Sequence, residues 1–368
     1  MTAQQLENPI LNSPFRKPER HWELNESGMP TGQALSGRRQ SAYIVPIPKA
    51  KWTARQAEFE YDIEGSSNLK TNDLVNRIRD RVAEWRKLPA GQSGVTYETA
   101  RLLDHWRNAG PDRKPLFFCQ VEAAETIIWL TEVAPKNKAF QDLADAAQQH
   151  SEAANPGLFR LAMKLATGAG KTTVMAMLIA WHTVNKARRP NSKMFTDAFL
   201  IVAPGITIKD RLRVLLPESP DSIYERLSIV PRDMMPDLHK ARIVITNYHA
   251  FQRRKQPLAK GTAEVLRGRE TEEEFNERFR ETDGQMVQRV MGSLMGRRGI
   301  IVINDEAHHC YQEKPKTGAD SDIEVDRAAE ETAAEAKADA EQNNVAARLW
   351  INGIRAVQAV LNVKAVYD

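Results

Sequence analysis

The chain has 368 residues, 42% of them hydrophobic and 27% charged, and 52 Lys+Arg against 48 Asp+Glu leave a net charge of +4. Those proportions fit a globular protein of one or two domains and exclude a disordered or fibrous one, and so mild a charge does not by itself argue for nucleic acid. The longest apolar run, Val174 to Trp181, is far short of the roughly 20 residues that span a bilayer. Nothing near Met1 reads as a cleavable signal, and two cysteines cannot build a disulfide framework, so the expectation is a cytoplasmic protein with no membrane partner.

Along the chain, residues 1 to 40 hold Pro9, Pro14, Pro18, Pro30, Gly28, Gly32 and Gly37 without a period, and read as an extended arm. Ala42 to Ile47 reads as a short edge strand, because Pro46 and Pro48 cannot donate to a ladder. Leu74, Ile78, Val82 and Trp85 recur at helical spacing, predicting a helix over Asn72–Arg86 with Asn72 or Thr71 as its cap. Further helices are expected over Tyr97–Trp106 and Gln120–Val133, the second unusually apolar, and a polar insertion follows over 135–156.

Beyond it, short apolar runs alternate with helical stretches: Leu158–Leu165, Ala198–Ala203, Ala241–Thr246, Gly299–Asn304 and Val363–Tyr367. Runs this short, apolar on both faces, are what strands of a parallel sheet look like under two layers of helices, so the expected class is α/β. The first run leads into MKLATGAGKTTVMAML, Met163 to Leu178. A strand, a Gly-containing turn and then a helix is the context of a phosphate loop, where backbone N–H groups and the helix dipole favour an anion. Gly168 and Gly170 supply the freedom to curl, Lys171 would reach the β- and γ-phosphates, and the Thr172 hydroxyl would ligate Mg²⁺. Leu165 stands where the common pattern opens with Gly.

Between the third and fourth runs lies an insertion, 252–298, whose first part is basic through Arg253, Arg254, Lys255, Lys260, Arg267 and Arg269. It reads equally as a phosphate clamp or a solvated linker. The fourth run ends in Asp305, Glu306, Ala307 and His308, so Asp305 sits where a phosphate-loop enzyme holds Mg²⁺ and Glu306 where one orients the attacking water. His308, His309 and Cys310 have no zinc-ligand spacing; His308 reads as a coupling residue and Cys310 as a buried small hydrophobe. Residues 317–342, acidic and alanine-rich, belong to an insertion over 312–342 and read as a solvated helix or a disordered insert.

These segments resemble the superfamily 2 helicases and translocases. ATGAGKTT looks like motif I and would make Thr167, Gly168, Ala169, Gly170, Lys171, Thr172 and Thr173 contact nucleotide. DEAH looks like motif II, and FLIVAPGITIKDRL and IVITNYHAFQ are similar to motifs Ia and Ib. Together with NSPFRKPERHWE and DEAHHCY, the set most resembles the restriction subunit of type III-like restriction enzymes.

The resemblance implies ATP and Mg²⁺, with Lys171, Asp305, Glu306 and His308 in catalysis and Thr172 and Asp305 on the metal. It implies that Gln120, with Phe117 or Phe118 beside it, reads the adenine edge; the other reading is a polar residue at a helix N-terminus. Thr207, Lys209 and Asn247 would face nucleic acid, duplex DNA through its backbone, though Lys209 reads as well as a solvated lysine. The implied organisation is an N-terminal arm and helical accessory region over 1–114 and a first RecA-like lobe over 115–368. Asp368 stands where a third motif, Ser-Ala-Thr, is expected to begin. A second lobe and nuclease domain would lie outside this chain, which would be poorly active alone, and a modification subunit or the missing half would be a partner. A lobe of a DEAH-type RNA helicase, or a non-catalytic binding remnant, is the alternative.

Overall fold

The computed structural model describes residues 10–25, 28–44, 69–111, 113–255, 279–307, 310 and 327–368. They form two compact units, one from the described parts of 1–147 with 165–174, the other from 148–164 with 175–368.

In the first unit the arm is not featureless. Strands β1 (Arg20–Leu24) and β2 (Pro30–Ser36) pair antiparallel, with a register shift between Trp22 and Leu24. Neither strand alternates apolar and polar residues, which is why sequence periodicity misses the hairpin. Asn12 Oδ1 braces its entry by accepting from the Glu19 and Arg20 amides at 2.9 and 3.0 Å. Strand β3 (Ala42–Ile44) pairs with β4 (Leu69–Thr71); Pro46 and Pro48 lie outside the described residues.

Helix α1 (Asp73–Trp85) starts at Asn72, whose side chain accepts from the Val75 amide, and buries Ile78, Val82 and Trp85 as the periodicity predicts. Helix α2 (Tyr97–Arg107) is capped by Thr96. Helix α3 (Phe118–Ile128) begins two residues earlier than expected and continues into a π-helical turn at Trp129–Val133. The polar stretch after it, expected as an insertion, contains helix α4 (Gln141–Ala154).

Burying three acids of this α3 segment requires partners for each. Glu125, fully buried, accepts from Arg86 Nε and Arg107 Nε at 2.7 Å each. Glu122 takes both guanidinium nitrogens of Arg38 at 2.6 Å, and Glu132 takes the Thr96 amide and the Thr99 hydroxyl.

The second unit is built on a five-stranded, all-parallel sheet in the order β5-β9-β8-β6-β7. The strands are β5 (Arg160–Leu161), β6 (Ala198–Ala203), β7 (Arg242–Asn247), β8 (Ile300–Asn304) and β9 (Val363–Tyr367). Helix α5 (Lys171–Arg188) precedes β6; α6 (Ile206–Arg211) and the single turns α7 (Ile223–Arg226) and α8 (Met235–Leu238) separate β6 from β7. Helix α9 (Asp283–Met291) precedes β8, and α10 (Arg327–Leu361) precedes β9. The acidic stretch is therefore helical from Arg327 onward, continuous with a segment that packs into the core, while 317–326 lies outside the described residues.

Alternation across the pleat decides the layers. Leu200 and Val202 of β6, Val302 of β8 and Val366 of β9 join Met286, Met291, Trp350, Ile354 and Val357 of α9 and α10 in one apolar cluster. On the opposite face His182 of α5 approaches the rings of Phe199 and Tyr367. Each fully buried Val or Leu here contributes about 1.5–3 kcal/mol. From Thr173 to Asn185, α5 is buried on every side, the pattern of a core helix. Strand β5 is shorter than the expected Leu158–Leu165, because it lies at the sheet edge and leaves once the Met163 amide has bonded Asp368 O at 2.8 Å. This is the expected RecA-like α/β architecture, a parallel sheet flanked by helices.

Candidate functional site

The loop between β5 and α5 turns at Thr167–Gly168, with the Ala169 amide bonded to Ala166 O at 3.1 Å. Gly168 and Gly170 have φ of +79° and +81°, a region L side chains rarely adopt. At Gly168 an added Cβ would meet open space, so only conformation demands glycine; at Gly170 it would also collide with the amide nitrogen of Gln120. The Gly170 carbonyl accepts from the Thr173 amide at 2.9 Å, starting α5 directly at Lys171. The first N–H groups of a helix have no partner within it, so this end can receive an anion such as a phosphate.

Gln120, 6% exposed, is brought against this loop from α3. Its Oε1 accepts from the Phe117 amide at 2.9 Å, and its Nε2 donates to Ala169 O at 2.9 Å. Those partners fix the amide orientation, because one is a donor and the other an acceptor. One N–H and one lone pair of the amide stay uncommitted by these two bonds. Phe117 packs on Phe15 at 5.5 Å, and the guanidinium groups of Arg38 and Arg86 lie over the Phe118 ring at 5.8 and 5.0 Å. The arm and the glutamine segment are thus one packed assembly, further tied by the Phe118 amide on Pro14 O at 2.8 Å. Sequence reasoning missed Arg38, Arg86 and Phe15; pairings 84 residues apart leave no local signature.

Thr167 and Gly168 are exposed; Ala169, Gly170, Lys171 and Thr172 are half-buried, and Thr173 is buried. The turn geometry, the helix start and a threonine hydroxyl after the lysine suit a nucleotide's phosphates and a hard cation, so these residues fit the groups the sequence implies.

In the second unit the remaining expected residues gather at one end of the sheet. Strand pairing puts Val202 opposite Asn304 and Ala203 opposite Asn247, so β6, β7 and β8 end level. Thr207, exposed, and Lys209, half-buried, follow β6 on α6. Asn247 ends β7 and accepts from the Ala250 amide at 3.2 Å, capping the turn Tyr248–Phe251. Asp305 follows β8, its amide bonded to Val202 O at 2.9 Å. Ligands of open α/β sheets bind at this carboxyl end. Glu306 has φ of +54°, a conformation that costs a non-glycine residue about 1–3 kcal/mol and recurs where function demands it. His308 and His309 lie outside the described residues. Cys310 is buried in the core cluster, and burial pushes its thiol up to about 12. Among the described residues no group of three His, Cys, Asp or Glu could hold a metal.

A network behind Asp305 was not foreseen. Asn304, 3% exposed, donates from Nδ2 to Asp368 Oδ1 at 2.7 Å and accepts from Trp350 Nε1 at 3.1 Å. Asp368 is held by Arg160 Nε at 2.8 Å, and Arg160 reaches Cys310 O and Asn155 Oδ1. Desolvation raises the Asp368 carboxyl above the ordinary range despite Arg160 and Asn304. Tyr248 stacks on Trp350, 5.3 Å and 7° apart, joining the β7 end to the same network.

No helix among the described residues is long and apolar enough to cross a membrane. No curated protein and no solved structure matches the chain. Residues 113–337, more than half of the 368, match the family model described as type III restriction enzyme, res subunit. That span takes in the glutamine segment, the phosphate loop and the acidic strand end, and the chain accordingly belongs to the res-subunit family of type III restriction enzymes as a helicase-like ATPase motor domain.

Proposed function

We propose that the chain is the ATP-binding first motor lobe of a DNA-dependent translocase of the type III restriction class. The observation that carries this reading is the braced loop: two left-handed glycines at a helix start, with Gln120 bonded to the carbonyl between them. In this reading Lys171 neutralises the phosphates, the N–H groups around Thr172 and Thr173 hold them, and the spare hydrogen-bonding capacity of Gln120 meets the adenine edge. Thr172 by its motif, and Asp305 by its own motif, is each a proposed Mg²⁺ ligand, and the ion when bound would offset the negative charge that builds on the phosphate oxygens. Glu306 orients and deprotonates water, His308 couples nucleotide state to a partner domain, and Thr207, Lys209 and Asn247 contact the nucleic-acid backbone.

Among the described residues there is one parallel sheet of this kind. An arginine finger from a second lobe is worth about 10³–10⁵ in rate, so polypeptide 1–368 by itself is expected to bind ATP·Mg²⁺ better than it hydrolyses it. Titration with a fluorescent ATP analogue tests the reading. Lys171→Ala removes charge-assisted contacts worth about 1.5–3 kcal/mol, a loss of roughly 10- to 100-fold in affinity. Equal affinity in wild type and variant would refute it. A duplex DNA that stimulates turnover more than RNA, once a second lobe is supplied, distinguishes the DNA motor from an RNA helicase.

A further inference from the structure

Past the Asn247 cap, the chain runs along the wall of a cleft of about 610 Å³ between α9 and the C-terminal half of α10. Three arginines line it, Arg253, Arg280 and Arg355, against one acid, Asp283, and Gln252 and Asn352 add neutral polar groups. Arg253 lies 3.7 Å from Asp283, the one acid of the lining. Arg355 is half-buried on α10 and has no hydrogen bond or ion pair among the described residues. A guanidinium in that position has given up part of its hydration without gaining a counter-ion, and an anion entering the cleft would restore the loss.

The walls are firmly made. Arg289 donates to Ala250 O at 3.0 Å and Gln252 O at 3.1 Å, and pairs with Glu281 at 2.7 Å. Glu281 in turn accepts from the Arg254 amide at 3.0 Å, and Lys255 bridges Arg280 antiparallel. Phe251 lies against the α10 backbone at Gly353, where an added Cβ would collide with its ring. The basic side chains therefore project from a fixed frame.

We propose that this cleft is a second seat for the phosphodiester backbone of nucleic acid, continuing the path from Asn247 through Arg253 to Arg280 and Arg355. It rests on the nucleic-acid reading above and adds to it residues of α10 and of the 252–298 insertion. Guanidinium forks suit phosphate oxygens, and the polar lining disfavours an apolar ligand.

Fluorescence anisotropy of a labelled duplex DNA with the full 368-residue chain, across a salt series, tests it. In Arg280→Gln/Arg355→Gln, affinity at low salt should fall by about tenfold for any sequence, and the slope of log K against log salt by nearly two. Arg280→Lys/Arg355→Lys should keep most of both, and an unchanged melting transition in the glutamine variant shows that folding is intact. Wild-type affinity and slope in the glutamine variant would overturn the cleft while leaving the motor reading standing. The same result with loss of oligo-glutamate binding would overturn it in favour of an acidic protein partner. Failure of the wild type to bind any DNA at low salt would overturn both.

Discussion

His182 lies inside the second unit, its Nε2 3.2 Å from the Tyr367 hydroxyl and its Nδ1 buried without a hydrogen bond among the described residues. Burial, helped by the charge of Lys364, pushes its protonation down from 6.5 to about 3. The unfolded chain takes up this proton near its ordinary pKa, so from there downward the unfolded state binds more protons. Stability is then lost as pH falls, at up to about 1.4 kcal/mol per pH unit. Melting temperatures at pH 7 and pH 5 should differ more for wild type than for His182→Leu. An equal drop in both would place the acid sensitivity elsewhere. Asp368 acts in the opposite sense, since a carboxyl raised by desolvation gains protons on folding, but it is common to wild type and His182→Leu and cancels in their comparison. The place of Glu306 just after an apolar strand was legible in the sequence. Its left-handed backbone was not, because no residue type in DEAH demands it.

At the scale of elements, Arg160, Asn304, Asp368 and Trp350 tie β5, β8, β9 and α10 together through groups that are almost wholly buried. Removing one member of a buried pair leaves the other uncompensated, at about 3–5 kcal/mol. Arg160→Ala should therefore cost that much in urea unfolding, and Arg160→Ala/Asp368→Asn clearly less. Strict additivity of the two single changes would show that the pair does not act as a unit. None of this network was legible in the sequence, since Arg160 and Asp368 stand 208 residues apart.

What was legible is the part of the fold with a period. Strands β6 and β9 begin and end where the apolar runs do, and β7 and β8 start one residue late. α1 and α2 agree with their stripes to a residue at each end. The hairpin of the arm and α4 carry too little apolar patterning to be read, and β5 is shortened by its edge position, which only the strand order reveals. The glycine turn and the helix start at Lys171 were legible because their pattern is local. The brace from Gln120 was not, because it depends on how α3 packs.

For the whole molecule, the consequential feature is that the phosphate loop, 165–174, belongs to the compact unit formed by residues 1–147. Nucleotide bound at the loop should therefore stabilise helices far away in sequence, with Gln120 as the connection from α3. A ligand at about 100 times its Kd stabilises the state that binds it by about 2.7 kcal/mol, roughly a hundredfold in the rate of exchange through unfolding. With a non-hydrolysable ATP analogue and Mg²⁺, amides of Phe118–Ile128 and Asp73–Trp85 should exchange more slowly. Lys171→Ala at the same analogue concentration should weaken the effect to about 0.4–1.4 kcal/mol, because affinity falls roughly 10- to 100-fold. Gln120→Ala should behave differently: at analogue concentrations raised to restore saturation, protection remains at Thr173 and Val174 but weakens in α3. Protection of α3 as strong in Gln120→Ala as in wild type would show that the unit holds the loop by other contacts, and would reduce the glutamine to its possible hydrogen bonds with the base. Protection confined to the loop in wild type would deny the first unit any part in nucleotide binding beyond the loop itself.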